Sequence, residues 1–156
     1  MNSYERLETE ACNDGIDIVD YSFESNKIKG LYCDNVIGIS TNLDSTSEKV
    51  CILAEELGHH HTTAGNILDQ SKVENRKQER RARLWAYNKM ITLEKLAAAK
   101  TAGCRNRYEI AEYLEVSEEF LQEAVNTYKE IYNAGCHQYG DYLICFDPLN
   151  IYVITD

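Results

Sequence analysis

The sequence predicts an α+β fold, and three observations on its 156 residues predict it. Short strand-like runs rich in Ile, Val and Tyr come first, within 16–40. Long stretches with helical spacing of apolar residues follow, and a second strand pair closes the chain between Tyr139 and Ile154. A short helix, then strands, then helices, then strands, is the order of a segregated α+β architecture. The length suffices for one core. The expected division is a core over 1–91, a helical region over 92–135 and a C-terminal β-hairpin over 136–156, packed as one compact domain.

Taken in order, Tyr4 to Cys12 reads as a short helix with Leu7 and Ala11 inward. Ile16 to Phe23 alternates as a strand. Ile28 to Leu31 and Asn35 to Ser40 form a hairpin signal that turns at Asp34-Asn35, so a small antiparallel sheet is expected. A helix then carries Val50, Leu53, Ala54 and Leu57 on its apolar face, with Ser45 or Ser47 as its cap and Glu48 in its first turn. Thr62 to Ser71 is loop-like by its Gly, Asn and Thr content. Asn75 to Ile91 is helical again, with Ala82, Trp85, Ala86, Lys89 and Met90 on one face.

Thr92 caps a helix from Leu93 to Ala102 that Gly103 ends. Arg107 to Leu114 and Ser117 to Tyr128 read as two helices around a break at Glu115-Val116. The final hairpin joins Tyr139–Phe146 to Ile151–Ile154, and the only proline, Pro148, falls in its turn, where a fixed φ suits. His137 is expected on the surface, in a polar loop.

The chemistry is concentrated in Glu55-Glu56-Leu57-Gly58-His59. Residues i and i+4 lie one above the other on a helix, so Glu55 and His59 can reach a single ion while Glu56 sits beside it. That arrangement suits hydrolysis, because an ion-activated water needs an adjacent carboxylate to take its proton. On an ordinary helix the same residues form a solvated face, and three consecutive histidines form a weak metal tract. Buried on an apolar helix, however, these charges are costly unless they meet a metal or partners. Glu56 and His60 make another i, i+4 pair and a possible second ligand set. A further ligand is expected from the later helix: Glu79 lies one turn before Ala82 on its apolar stripe, although the ordinary role of such an acid is a helix N-terminal charge partner.

Charge narrows the partners. With 26 acidic against 16 basic residues and a net charge of −10, unaided nucleic-acid binding is disfavoured and a protein partner expected. The Ile-Ala-x-x-Leu-x-Val-Ser pattern from Ile110 resembles a helix-turn-helix, but seven glutamates and one lysine between Tyr108 and Tyr132 would repel phosphate. A packing or docking unit is the better reading, with nucleic-acid mimicry by Glu112, Glu115 and Glu119 as a lesser one. Six cysteines without C-x-x-C spacing are expected as small buried hydrophobes. The N-terminal residues are polar and acidic, unlike a leader, and no run approaches the ~18 apolar residues of a membrane span. The cytoplasm is the expected compartment.

The runs Lys29–Ser40, Leu53-Ala-Glu-Glu-Leu-Gly-His59 and Glu79-x-x-Ala82-x-x-Trp85-Ala86 resemble the ImmA/IrrE family of metallopeptidases, over roughly Ser22 to Ile91. The resemblance implies a zincin-like core, with Glu56 as general base and His59 and Glu79 as metal ligands. Glu55 stands where the family has its first ligand histidine. Zinc is the implied cofactor, and a set of one imidazole and two carboxylates also admits manganese or iron. The implied activity is that of an endopeptidase cutting a helix-turn-helix repressor of a phage or mobile element, with no direct nucleic-acid contact, no membrane and no stated oligomeric state. The competing expectation is a metal-poor module that binds a repressor without cutting it.

Overall fold

Residues 1–62 and 72–154 are described by the structure, a computed structural model. The architecture is α+β, as the sequence predicts, and the chain falls into two units, Met1–Ala86 and Tyr87–Asp156.

In the first unit, α1 (Ser3–Asn13) starts at a capping box: Asn2 Oδ1 accepts from the Glu5 backbone N–H at 2.9 Å, and the Glu5 carboxylate accepts from that of Asn2 at 3.2 Å. Leu7 and Ala11 are buried, as their spacing requires. The sheet comprises β1 (Asp17–Tyr21), β2 (Gly30–Cys33) and β3 (Val36–Ser40) in the order β1-β3-β2. The β2–β3 hairpin turns at Asp34 and Asn35, both with positive φ (45° and 62°), which is the pair that a type I′ turn demands.

The sheet is not antiparallel throughout. β1 pairs with β3 in parallel, Asp17 opposite Val36 and Tyr21 opposite Ser40. The reason is the route of the chain: residues 22–29 carry it past the β3 position, so β2 forms the far edge and β3 returns between its predecessors. β3 is thus central, and its Ile37 and Ile39 are fully buried.

α2 (Thr46–Thr62) begins at Ser45, whose Oγ accepts from the Glu48 backbone N–H at 3.1 Å; this decides between the two candidate caps. Glu48 also meets Lys29 Nζ at 2.7 Å. Val50, Leu53, Ala54 and Leu57 are buried, and α1, β2 and β3 all pack on this helix. Fully burying each large side chain contributes on the order of 1.5–3 kcal/mol. The loop expected from Thr62 to Ser71 lies, beyond Thr62, outside the described residues.

α3 (Lys72–Met90) buries Ala82, Ala86 and Met90 along one i, i+4 row. Trp85 is only half-buried, and Lys89, expected on that stripe, is exposed; Tyr87 is buried instead. Two glycines set the packing distances of α2. A Cβ at Gly58 would run into the backbone carbonyl of Ala82, and one at Gly30 would lie 2.5 Å from Ile52 Cγ2. Helix α3 and strand β2 approach α2 this closely because neither glycine has a side chain.

In the second unit, Thr92 Oγ1 accepts from the Lys95 backbone N–H at 3.0 Å and starts α4 (Leu93–Thr101), which ends before Gly103 at φ 97°. α5 (Arg107–Leu114) and α6 (Glu118–Tyr132) follow, joined at Glu115 with φ 60° and capped at Ser117. Phe120, Leu121, Val125, Ile144 and Phe146 are among the buried side chains. The C-terminal element is larger than the expected hairpin: β4 (Cys136–Tyr139), β5 (Tyr142–Phe146) and β6 (Leu149–Val153) form an antiparallel meander. β4 is short and polar, so its sequence hides the strand. It carries His137, which is not in a loop and stacks on Tyr132 at 4.2 Å.

The cysteines also depart from expectation. Only Cys51 is a buried free thiol; Cys12 and Cys33 are exposed, and Cys136 and Cys145, directly opposite across β4 and β5, form a disulfide. Among the described residues, no helix is long and apolar enough to cross a membrane.

Candidate functional site

β2, α2 and α3 enclose a cleft of ≈ 380 Å³ in the first unit. Gly30, Leu31 and Tyr32 line it from the strand, Glu56 and His59 from α2, and Asn75, Gln78 and Glu79 from α3. Three of the four residues singled out in the sequence therefore share one cavity.

His59 Nε2 lies 3.1 Å from Glu79 Oε1. Glu79 is well inside α3, not at its N-terminus, so its charge answers the imidazole rather than the helix end. The hydrogen bond to Glu79 raises the pKa of His59 against its partial burial, and the charges of Glu56, Glu79 and Glu55 add to the rise. The same bond holds the Glu79 carboxyl below its usual range.

Glu56 faces a different environment. Burial pushes its carboxyl up to about 7; nearby His59 opposes the rise, the charges of Glu55 and Glu79 reinforce it, and a hydrogen bond from the Tyr32 backbone N–H opposes it. A carboxylate with that value can both take and return a proton near neutrality. Gly30 leaves it room, since a Cβ at that position would stand 3.2 Å from Glu56 Oε1, a few tenths of an ångström inside ordinary contact.

Glu55 is half-buried and is not among the residues lining the cleft; it acts on Glu56 and His59 through its charge. Among the described residues, the one group of three His, Cys, Asp or Glu side chains whose ligand atoms all lie within 4.8 Å of one another is Asp14, His60 and His61, a set that sequence spacing alone does not disclose. Tyr32, Asn75 and Gln78 were also not evident beforehand. Asn75 carried a signal, being four residues before Glu79 on the same helical face. Tyr32, the one tyrosine in the cleft lining, has its hydroxyl 2.8 Å from His60 Nδ1.

Comparison with protein-family models finds a match to Peptidase_M78, the IrrE N-terminal-like domain, over residues 13–126. The chain belongs to this family. No curated protein matches it. The IrrE-like span runs from the end of α1 to within α6, so it includes Glu55, Glu56, His59 and Glu79. Members of this peptidase family are typically metal-dependent, and the cleft can be tested for a metal on its own geometry. Two atoms bound to one tetrahedral zinc through ~2.1 Å bonds stand about 3.4 Å apart. The 3.1 Å between His59 and Glu79 is a direct hydrogen bond, a few tenths of an ångström shorter than that spacing, and both are ordinary zinc donors, so a small parting of the two side chains admits an ion in place of the shared proton. These two residues fit a divalent ion.

Proposed function

We propose that this chain is a metal-dependent endopeptidase in which His59 and Glu79 hold the ion, Glu55 completes the protein ligands by turning its side chain toward His59, and Glu56 is the general base. The observation that carries the reading is the convergence of Glu56, His59 and Glu79 from two helices on one cleft beside an edge strand. A divalent ion in such a site supplies Lewis-acid polarisation and a more acidic water. Zinc is the first choice, and the carboxylate-rich donor set also suits manganese or iron.

Glu56 takes a proton from the attacking water and hands it to the departing amine, a role that its value near 7 allows. The outer edge of β2 offers a place for the substrate: an extended peptide laid along the strand would cross the cleft, with exposed Leu31 as an apolar contact. The net charge of −10 favours a basic protein over nucleic acid as partner. A helix-turn-helix repressor of a phage or mobile element meets that description, and the compartment it implies is the cytoplasm, where the Cys136–Cys145 pair would be held as thiols.

One observation favours a second reading. The direct pairing of His59 with Glu79, together with a glutamate at position 55, suits a module that binds a repressor without metal or cleavage. Incubating the purified, untagged, metal-loaded chain with the repressor encoded beside it separates the two. Cleavage by the wild type and none by Glu56→Gln supports the peptidase; binding by both with cleavage by neither supports the module.

A further inference from the structure

The three consecutive histidines of α2 do different work. His59 enters the cleft, whereas His60 and His61 approach the end of α1, where Asp14 is the C-cap residue. Asp14 Oδ2 lies 3.5 Å from His61 Nε2 and 3.9 Å from His60 Nε2, and Glu10 Oε1 lies 3.9 Å from His61 Nε2. An N–H···O hydrogen bond spans about 2.7–3.2 Å, so these are not hydrogen bonds. They are ion-pair distances, the shortest of them near the roughly 3.4 Å between atoms that share one tetrahedral ion, and the ligand atoms of Asp14, His60 and His61 all lie within 4.8 Å of one another.

Both rings are held in position. His60 Nδ1 is 2.8 Å from the Tyr32 hydroxyl, which leaves Nε2 directed to Asp14, and Tyr32 meets the ring edge-on at 5.4 Å. His61 stacks on the Trp85 indole at 4.7 Å with 16° between planes. A hydrogen bond to the second ring nitrogen is the outer contact that metal-ligating histidines characteristically make. The electrostatics agree. The C-terminal ends of α1 and α2 meet here, each carrying negative partial charge, and α1 has no basic residue in its last turn while Glu10 and Asp14 add carboxylates.

We propose that Asp14, His60 and His61, with Glu10 at the margin, form a second divalent-cation site distinct in every ligand from the one proposed in the cleft. Two imidazoles with a carboxylate suit a borderline transition ion such as zinc, and not magnesium or calcium. The ion ties the end of α1 to the end of α2. Tyr32, which also lines the cleft, braces this site through its hydroxyl, which lies 2.8 Å from His60 Nδ1 and 3.3 Å from Asn35 Oδ1.

Calorimetric titration of zinc alone into the full, untagged, metal-free chain tests this, with circular dichroism to confirm that each variant folds. The wild type should take up two equivalents, and the double variant Asp14→Asn, His61→Gln one, as should His59→Gln. Tyr32→Phe, which removes the outer hydrogen bond, should weaken the second equivalent roughly tenfold. If the wild type binds one zinc that the double variant loses and His59→Gln keeps, this site stands and the cleft site falls. The proposal is overturned if the double variant binds zinc like the wild type, if only His59→Gln removes it, or if uptake occurs nowhere or only near millimolar zinc.

Discussion

His59 Nε2 and Glu79 Oε1 meet at 3.1 Å, and through that contact α2 and α3 share one hydrogen-bonded pair in the lining of the cleft. The contact depends on the closeness of the two helices one residue before His59, where Gly58 lies against Ala82.

A metal ion must compete with a proton for His59. Because Glu79 raises the His59 pKa above 6.5, the proton stays on at a higher pH than on a free histidine. Zinc affinity of the cleft should therefore be highest in mild alkali and, as the pH is lowered, begin to fall while it is still above 6.5, by about tenfold for each pH unit once the imidazole is protonated. Equilibrium dialysis of the Asp14→Asn, His61→Gln variant between pH 8.5 and 5.5 measures it, and a flat profile would contradict His59 as a ligand.

Glu56 sets function against stability. Its carboxyl ionises near 4.5 in the unfolded chain but only at about 7 when folded, so between those values the unfolded chain has lost its proton and the folded one has not. Folding stability accordingly declines as pH rises through this window. Glu56→Gln removes the decline and should stabilise the metal-free protein by roughly 1–3 kcal/mol above pH 7.5, with no gain near pH 4. Urea denaturation at the two pH values gives the comparison; equal stability of both proteins at pH 8 would mean that Glu56 is not buried as described.

Gly58→Ala should destabilise the first unit by roughly 1–3 kcal/mol, because backbone rather than a flexible side chain occupies the space that the new methyl group needs. Moving α3 outward also separates Glu79 from His59, so cleft zinc affinity should drop at least tenfold. A variant with native stability and native affinity would show that the helices do not cross as tightly as the structure has them.

Glu115 joins α5 to α6 at φ 60°, a left-handed conformation that costs a non-glycine residue about 1 kcal/mol. Glu115→Gly should therefore raise stability by roughly 0.5–1 kcal/mol, despite the greater freedom of glycine when unfolded. Thermal melts monitored by circular dichroism decide it, and a lower melting temperature would count against strain at this turn.

Much of the fold was legible because the deciding signals are local. Asp34-Asn35 specified the hairpin turn, Thr92 its helix cap, and the 3.6-residue rhythm of Val50, Leu53, Ala54 and Leu57 the buried face of α2. The direction of β1 was not legible, since alternation marks a strand but not its partner. β4 escaped notice because Cys-His-Gln-Tyr has little apolar alternation, and its pairing comes from β5. Within the site, motif spacing brought forward Glu56, His59 and Glu79. Tyr32 and the Asp14, His60, His61 cluster depend on where the ends of α1 and α2 come to lie, which is a tertiary fact that no local pattern encodes.

Crystals of the untagged protein soaked in zinc, with anomalous diffraction recorded across the zinc edge, test the cleft directly. The expected result is an anomalous peak about 2.0–2.2 Å from both His59 Nε2 and a Glu79 carboxylate oxygen, with Glu55 turned toward it and Glu56 beside it unligated. A map with no peak between His59 and Glu79, their hydrogen bond intact at high zinc, would contradict the metallopeptidase reading.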